Sequence, residues 1–259
     1  MSKTYLIVPD SHAHPDYPND RADWLGQFIK ERKPDVVVNI GDTFDMPSLS
    51  SFDKGKASFH GNSYEKDIEA GVEFLDRMWH PVKKSKKKRP KSIYLVGNHD
   101  LPRLRKVLEY QPELGGSKYG IGPSDFQLDK YHHEVVDYIG GTPGIYQADG
   151  ISFAHFMVSG LMGRPIGGEN HAASLLNKNY ASCVVGHSHT ADWSVKTSSN
   201  GKKIMGLVCG VYQDYNNSWA GNVANMWHRG IVLLNGVEDG VYDPEWISLN
   251  RLKKEYSNR

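Results

Sequence analysis

Ile93-Tyr94-Leu95-Val96-Gly97-Asn98-His99-Asp100 is the stretch on which the fold turns. Its four apolar residues are too few for an ordinary helix and read as a short buried strand. A glycine stops the run, and an amide, an imidazole and a carboxylate follow at once. The same sequence of events recurs on either side. Tyr5 to Val8 is stopped by Pro9 and followed by Asp10-Ser11-His12. Val36 to Ile40 is a β-branched run that leads into Gly41-Asp42-Thr43-Phe44-Asp45. Ile151 to Ala154 leads into His155, and Cys183 to Val185 into Gly186-His187-Ser188-His189.

Amphipathic segments separate the first three runs. Asn19 or Asp20 can cap a helix whose core face carries Trp24, Leu25, Phe28 and Ile29. Ile68, Val72, Leu75 and Trp79 recur at helical spacing before the third run and share one face. Strand, helix, strand, helix, strand predicts parallel βαβ units, with the carboxyl ends of the strands on one rim. Residues 111–144 are rich in Gly, Pro, Tyr and His and read as an insertion with limited regular structure. Beyond it, strands are expected at 151–154, 182–185, 192–197, 203–209, 231–234 and 241–248, and a helix near 171–178. They suggest a second sheet packed on the first. No composition shift marks a linker, so one domain over 1–259 is expected.

Composition sets outer bounds. The chain has 259 residues, with 31 Lys and Arg against 30 Asp and Glu, so no global field favours a polyanionic partner. Cys183 and Cys209 both fall in apolar runs and read as reduced core thiols. No segment approaches the ~20 apolar residues of a membrane span. Met1-Ser2-Lys3-Thr4 leads straight into a strand pattern instead of a secretory segment, so a cytoplasmic location is expected.

The residues behind the five runs share a chemistry. Carboxylate, imidazole and amide oxygens are ligands suited to Mn, Fe or Zn, and the lack of thiolates disfavours a structural zinc site. Two positions apart on extended chain, Asp10 and His12 point to one side, as do His187 and His189. Taken singly, Asp-X-His or Gly-Asp is as well explained by a turn. Five such blocks, each at a strand end, are not.

Asp10-X-His12, Gly41-Asp42-X-X-Asp45, Gly97-Asn98-His99-Asp100, His155 and Gly186-His187-X-His189 resemble the signature blocks of the calcineurin-like metallophosphoesterases. The resemblance implies an α/β fold of two mixed β-sheets packed as a sandwich and flanked by helices. It also implies that Asp10, His12, Asp42 and His189 hold one divalent ion. Asp42, Asn98, His155 and His187 would hold a second, with Asp42 bridging and His99 facing the substrate. Two ions about 3.5–4 Å apart would clamp the phosphoryl oxygens and ionise a bridging water near neutral pH. His99 would then protonate the leaving oxygen or steady the phosphoryl charge. Asp100 either orients His99 or stabilises its turn; Asp45 holds a metal-binding histidine or closes its own loop. One departure stands out: many relatives carry Arg where this chain has Met46. His171 is a fallback ligand to His155 but lies in a helix pattern.

The blocks leave the ester open. A phosphodiesterase or nuclease acting on nucleotides or nucleic acid is the favoured expectation. A phosphomonoesterase is the alternative, and a catalytically silent binding module a third. Mn is the expected metal, with Fe, Zn and Ni acceptable, and the oligomeric state is left open. Three further features bear on the substrate. Lys83, Lys84, Lys86, Lys87, Lys88, Arg89 and Lys91 form a basic run at the far end of the third strand. The 111–144 segment, with Tyr119, Tyr131, His132 and His133, is either a lid or a surface loop. Tyr212 to Trp219 either stacks on a base or fills a core edge.

Overall fold

The structure, a computed structural model, describes residues 2–84 and 89–258, without the side chains of Ser218 and Trp219. Lys86, Lys87 and Lys88 of the basic run therefore lie outside the described residues. The chain begins with β1 (Lys3–Val8), α1 (Asp20–Arg32), β2 (Val36–Asn39), α2 (Tyr64–Lys84), β3 (Lys91–Leu95) and α3 (Leu101–Tyr110). It continues through α4 (Leu128–Tyr131), β4 (Glu134–Val136), β5 (Tyr146–Ala148), β6 (Ile151–Ala154), β7 (Val158–Ser159) and β8 (Arg164–Pro165). Then follow α5 (His171–Asn179), β9 (Ser182–Val185), β10 (Ala191–Thr197), β11 (Lys203–Cys209), β12 (Gly230–Glu238), β13 (Val241–Ser248) and α6 (Leu249–Tyr256).

Two mixed sheets result, one in the order β13-β12-β1-β2-β3-β4 and the other β10-β11-β9-β6-β5. β1, β2 and β3 are parallel neighbours and apolar on both faces, as strands covered on both sides must be. Because successive side chains point opposite ways, each strand serves two cores. Leu6, Val8, Val37, Tyr94 and Val96 pack with Leu25 and Phe28 of α1 and Phe74 and Met78 of α2. Tyr5, Ile7, Val38, Ile93 and Leu95 pack with Phe153, Val184 and Leu207 of the second sheet. The outer face of that sheet, with Cys183, Val185 and Val208, is covered by Leu175 and Leu176 of α5. This is the α/β sandwich of two mixed sheets flanked by helices. Cys183 and Cys209 are free and buried. No helix among the described residues is long and apolar enough to cross a membrane.

Several details differ from expectation. β12 and β13 join the first sheet, with Leu6 of β1 opposite Leu233 of β12. Alternation tells a strand which face to bury but not which sheet to enter; here β12 covers an edge of β1 that would otherwise lie open. The 111–144 segment contributes β4, paired in parallel with β3, and buries Phe126, Leu128 and Tyr131 in the helix-side core. A three-residue strand and a four-residue helix are too short to show periodicity. Asn19 does not cap α1 through its side chain. Its amide instead donates to Ala70 O at 2.9 Å and Glu73 at 3.1 Å, tying α1 to α2. The buried stripe of α2 runs through Ala70, Phe74, Leu75, Met78 and Trp79, leaving Ile68 and Val72 at its margin.

Gly71 of α2 sits directly against Phe44, two residues beyond Asp42; a Cβ there would overlap the ring. Propensity alone favours Ala over Gly in a helix by about 1 kcal/mol. Phe44 is fully buried, however, and cannot swing aside without moving its loop. Gly71→Ala is therefore expected to lower stability to urea by about 1–3 kcal/mol. A gain in stability would show that the Phe44 loop yields.

Candidate metal centre

The loops behind β1, β2, β3, β6 and β9 meet on one rim and are stitched together by their backbones. His12 N–H donates to Asp42 O at 2.9 Å, Gly186 N–H to His155 O at 3.0 Å and Tyr212 N–H to Asp10 O at 2.8 Å. Glycine permits the closest approaches: a Cβ on Gly97 would overlap the Asp42 carboxylate, and one on Gly186 the Asp10 carboxylate. His12, Asp42, His187 and His189 all adopt left-handed backbone, with φ between 43° and 66°. Such backbone costs a residue other than glycine about 1–2 kcal/mol, which the surrounding hydrogen bonds must offset.

Three sets of side chains converge there: Asp10 with His12 and His189, His12 with Asp42 and His99, and Asp42 with His155 and His187. Within each set the ligand atoms lie within 4.8 Å of one another. His12 Nε2 is 3.1 Å from His189 Nε2, which is 3.3 Å from Asp10 Oδ2. His155 Nε2 is 2.9 Å from Asn98 Oδ1 and 3.3 Å from Asp42 Oδ2. Asp10, His12, Asp42, Asn98, His155, His187 and His189 are thus all in one cluster, and Asp42 belongs to two of the three sets. Its donors suit divalent ions: every one is nitrogen or oxygen, two are buried carboxylates, and two imidazole nitrogens face each other at hydrogen-bond distance.

The supporting groups fix which atoms face inward. His155 Nδ1 donates to Ile40 O at 2.9 Å, which leaves Nε2 as the inward atom. Asp45 binds two imidazoles, His12 Nδ1 at 3.0 Å and His99 Nδ1 at 2.9 Å. Burial opposes ionisation of Asp42, yet His155 and His99 hold it well below the usual carboxylate range. Burial likewise opposes charge on His155, but Asp42 and Asp10 raise it to about 9. His187 goes the other way, to about 4, because burial outweighs the carboxylates. His171 stands behind the cluster, 3.3 Å from Ser188 Oγ and in none of the three sets.

Among the described residues the Asp100 carboxylate makes no hydrogen bond to His99; its partners lie in the loops behind β2 and β3 and at Tyr94. It is fully buried and accepts from Asp42 N–H, Phe44 N–H, Gly97 N–H and Tyr94 O–H at 2.8–3.2 Å. Its backbone starts α3, which turns the carboxylate back under the two loops. Burial, reinforced by Asp42, pushes this carboxyl up to about 7. The carboxylate that orients His99 is Asp45.

Two arginines went unnoticed in the sequence. Arg103 of α3 donates through Nη1 to Asp45 O at 2.7 Å and Met46 O at 3.1 Å. Its Nη2 lies 2.9 Å from His99 Nε2. Arg103 follows His99 by one helical turn, a spacing that could have been read. Met46 itself is buried in the core. Arg21 is fully buried and donates to Tyr212 O at 3.0 Å, Ser11 O at 2.8 Å and Asp214 Oδ1 at 3.1 Å. Its signal was a charged residue on the face of Leu25 and Phe28.

Of the aromatic stretch beyond the last block, Tyr212 and Tyr215 fill a core edge, and the side chain of Trp219 lies outside the described residues. Tyr212 is fully buried and donates to Arg21 O at 2.8 Å. Tyr215 donates to His12 O at 2.7 Å and stacks on Tyr17, with ring centroids 3.8 Å apart. Trp227 places its ring edge-on to His189 at 4.5 Å. In the 111–144 segment, Tyr131 and His132 are buried while Tyr119 is exposed.

Similarity to known proteins agrees with the blocks. Residues 3–191 match a family model described as calcineurin-like phosphoesterase. Among solved structures, the chain is similar to one described as a novel archaeal phosphodiesterase, at 13% identity and a TM-score of 0.40, covering 94% of this chain and 99% of that one. It is also similar to a Thermus thermophilus protein, TT1561, at 13% identity and a TM-score of 0.42, covering 96% and 100%. No curated protein sequence matches it. A family match that spans most of the chain places it in the calcineurin-like phosphoesterase family, metal-dependent hydrolases of phosphoester bonds.

Proposed function

We propose that this phosphoesterase is a phosphodiesterase or nuclease acting on nucleotides or nucleic acid, working with two divalent ions, manganese foremost. The observation that carries the metal reading is the chain of ligand sets: His12 links Asp10 and His189 to Asp42, and Asp42 links these to His155 and His187. Asp10, His12, Asp42 and His189 hold one ion, and Asp42, Asn98, His155 and His187 the other. Bound there, the ions supply Lewis acidity to the phosphoryl oxygens and a nucleophile at neutral pH. An all-nitrogen-and-oxygen donor set supports manganese. Two reduced, buried cysteines support a cytoplasmic location.

Charge supports the diester. A diester carries one negative charge on its phosphoryl group, and a monoester about two near neutral pH. Among the described residues, a single guanidinium, that of Arg103, contacts His99 Nε2. Met46 is buried and apolar, so that position supplies no second cation. His99 has its Nδ1 proton held by Asp45 and its Nε2 turned toward Arg103. Substrate oxygen entering beside Arg103 would meet Nε2, the atom through which His99 moves a proton at the leaving oxygen.

Incubating the purified, Mn-loaded protein with bis-p-nitrophenyl phosphate, p-nitrophenyl phosphate and short DNA and RNA tests the reading. Preference for the diester and cleavage of nucleic acid are expected. Preference for the monoester would move the protein to the phosphatases, and silence with metal present would make it a binding module. Asp42→Asn should strip metal and abolish turnover, because one carboxylate serves both ions. His99→Asn should lose about 10²–10⁴-fold in kcat at unchanged metal content by elemental analysis. Its arrival with less metal would instead make His99 a ligand through the His12–Asp42–His99 set. Arg103→Ala should cost about tenfold to a hundredfold in kcat/KM on the diester, and an unchanged value would remove Arg103 from the site.

A further inference from the structure

A cavity of about 460 Å³ opens at the amino ends of β2 and β3, opposite the metal centre. Lys30 and Lys33 come from the end of α1, Arg89 and Lys91 from the approach to β3, and His133 from the approach to β4, beside apolar Ile29. The four residues of β2 separate this cavity from the Asp42 loop, roughly 13 Å at the usual strand rise. Nothing bound here would touch the metal ligands.

Arg89 is the unusual member. Its guanidinium lies 3.9 Å over the ring of Trp79, which is fully buried. Its Nε and Nη2 are buried, and no described residue accepts a hydrogen bond from either. Burying guanidinium nitrogens with unanswered donors is costly, and a negative charge seated against Arg89 would offset part of that cost. The protein offers little in its place. Asp35, the carboxylate on the cavity wall, already accepts from Thr4 N–H at 2.8 Å and Thr4 O–H at 2.9 Å. Lys91 is engaged by Glu134 at 3.2 Å and Tyr146 at 3.1 Å. Lys30 and Lys33 are exposed at the mouth, with no ion-pair partner among the described residues. The positive field also reaches the neighbouring imidazoles: burial first, and then Arg89, push His132 down to about 3 and lower His133.

We propose that this cavity is a second anion site, which takes the phosphate group of a small phosphorylated molecule on Arg89, with Lys30 and Lys33 guarding its mouth. The volume is that of a small-molecule site. A guanidinium packed on an aromatic ring is held in place to meet the charge of a phosphate group. The proposal stands apart from the chemistry assigned to the metal centre.

Calorimetric titration of the metal-loaded protein with pyrophosphate and with adenosine monophosphate tests it. Binding by both is expected to persist in Asp42→Asn, which removes the contribution of the metal centre. It should weaken about tenfold or more in Arg89→Met, which keeps the apolar contact with Trp79 but not the charge. The exposed double variant Lys30→Glu/Lys33→Glu should weaken it as well, and decides the matter if Arg89→Met fails to fold. Both variants should hydrolyse bis-p-nitrophenyl phosphate like the unaltered protein. Undiminished binding of both probes to the variants would overturn the proposal. So would Arg89-dependent binding of a short single-stranded oligonucleotide with no binding of the small phosphates, which would mark a nucleic-acid surface instead.

Discussion

Asp10 and Asp42 are two carboxylates held in the same buried cluster, and the molecule is arranged around making that tolerable. Buried charge of one sign is expensive unless it is paired and hydrogen-bonded. Imidazoles from four loops surround the pair, and backbone N–H groups of His99 and His187 donate to Asp42 and Asp10. Further out, Arg21 ties the first loop to the segment at Tyr212, and Asp100 ties the second loop to the third. The left-handed backbone at His12, Asp42, His187 and His189 is what bringing these ligands to one point demands.

Four aspartates in this region show how environment divides labour among identical side chains. Asp10 and Asp42 face inward, among imidazole nitrogens. Asp45 stands one layer back and fixes two rings at once, His12 and His99. Asp100 is fully buried and answers donors of the two neighbouring loops and of Tyr94 in β3. Arg103 completes the arrangement from α3: it caps the backbone of the Asp45 loop and presents its remaining N–H groups beside His99.

Residue order alone revealed much of this. Each short apolar run followed by Gly, Asp, Asn or His marked a strand end, and parallel βαβ units place such ends together. Legibility failed where the deciding information lies in the partner. β12 opens with a continuous apolar run and reads as a strand, but nothing in its residues names β1 as the neighbour. β4 is three residues long, below the reach of periodicity. α6 was missed although Leu249, Leu252 and Tyr256 recur at helical spacing behind the capping Ser248. Adjacency to His99 in the chain gives no direction for the Asp100 carboxylate, which stands at the cap of α3. Arg21 and Arg103 were passed over because a lone arginine carries no pattern; only the carbonyls it reaches give it meaning.

The placement of β1 between β2 and β12 has a consequence in time. Every candidate ligand has been synthesised by His189, yet the strand that carries Asp10 gains its second neighbour only when residues 230–238 arrive. A nascent chain therefore holds the complete set of ligands for a period in which one edge of β1 has nothing to pair with. Such long-range closure makes for slow folding and an interval of exposed strand edge. A metal ion reaching the ligands in that interval would meet loops whose parent sheet is still unfinished.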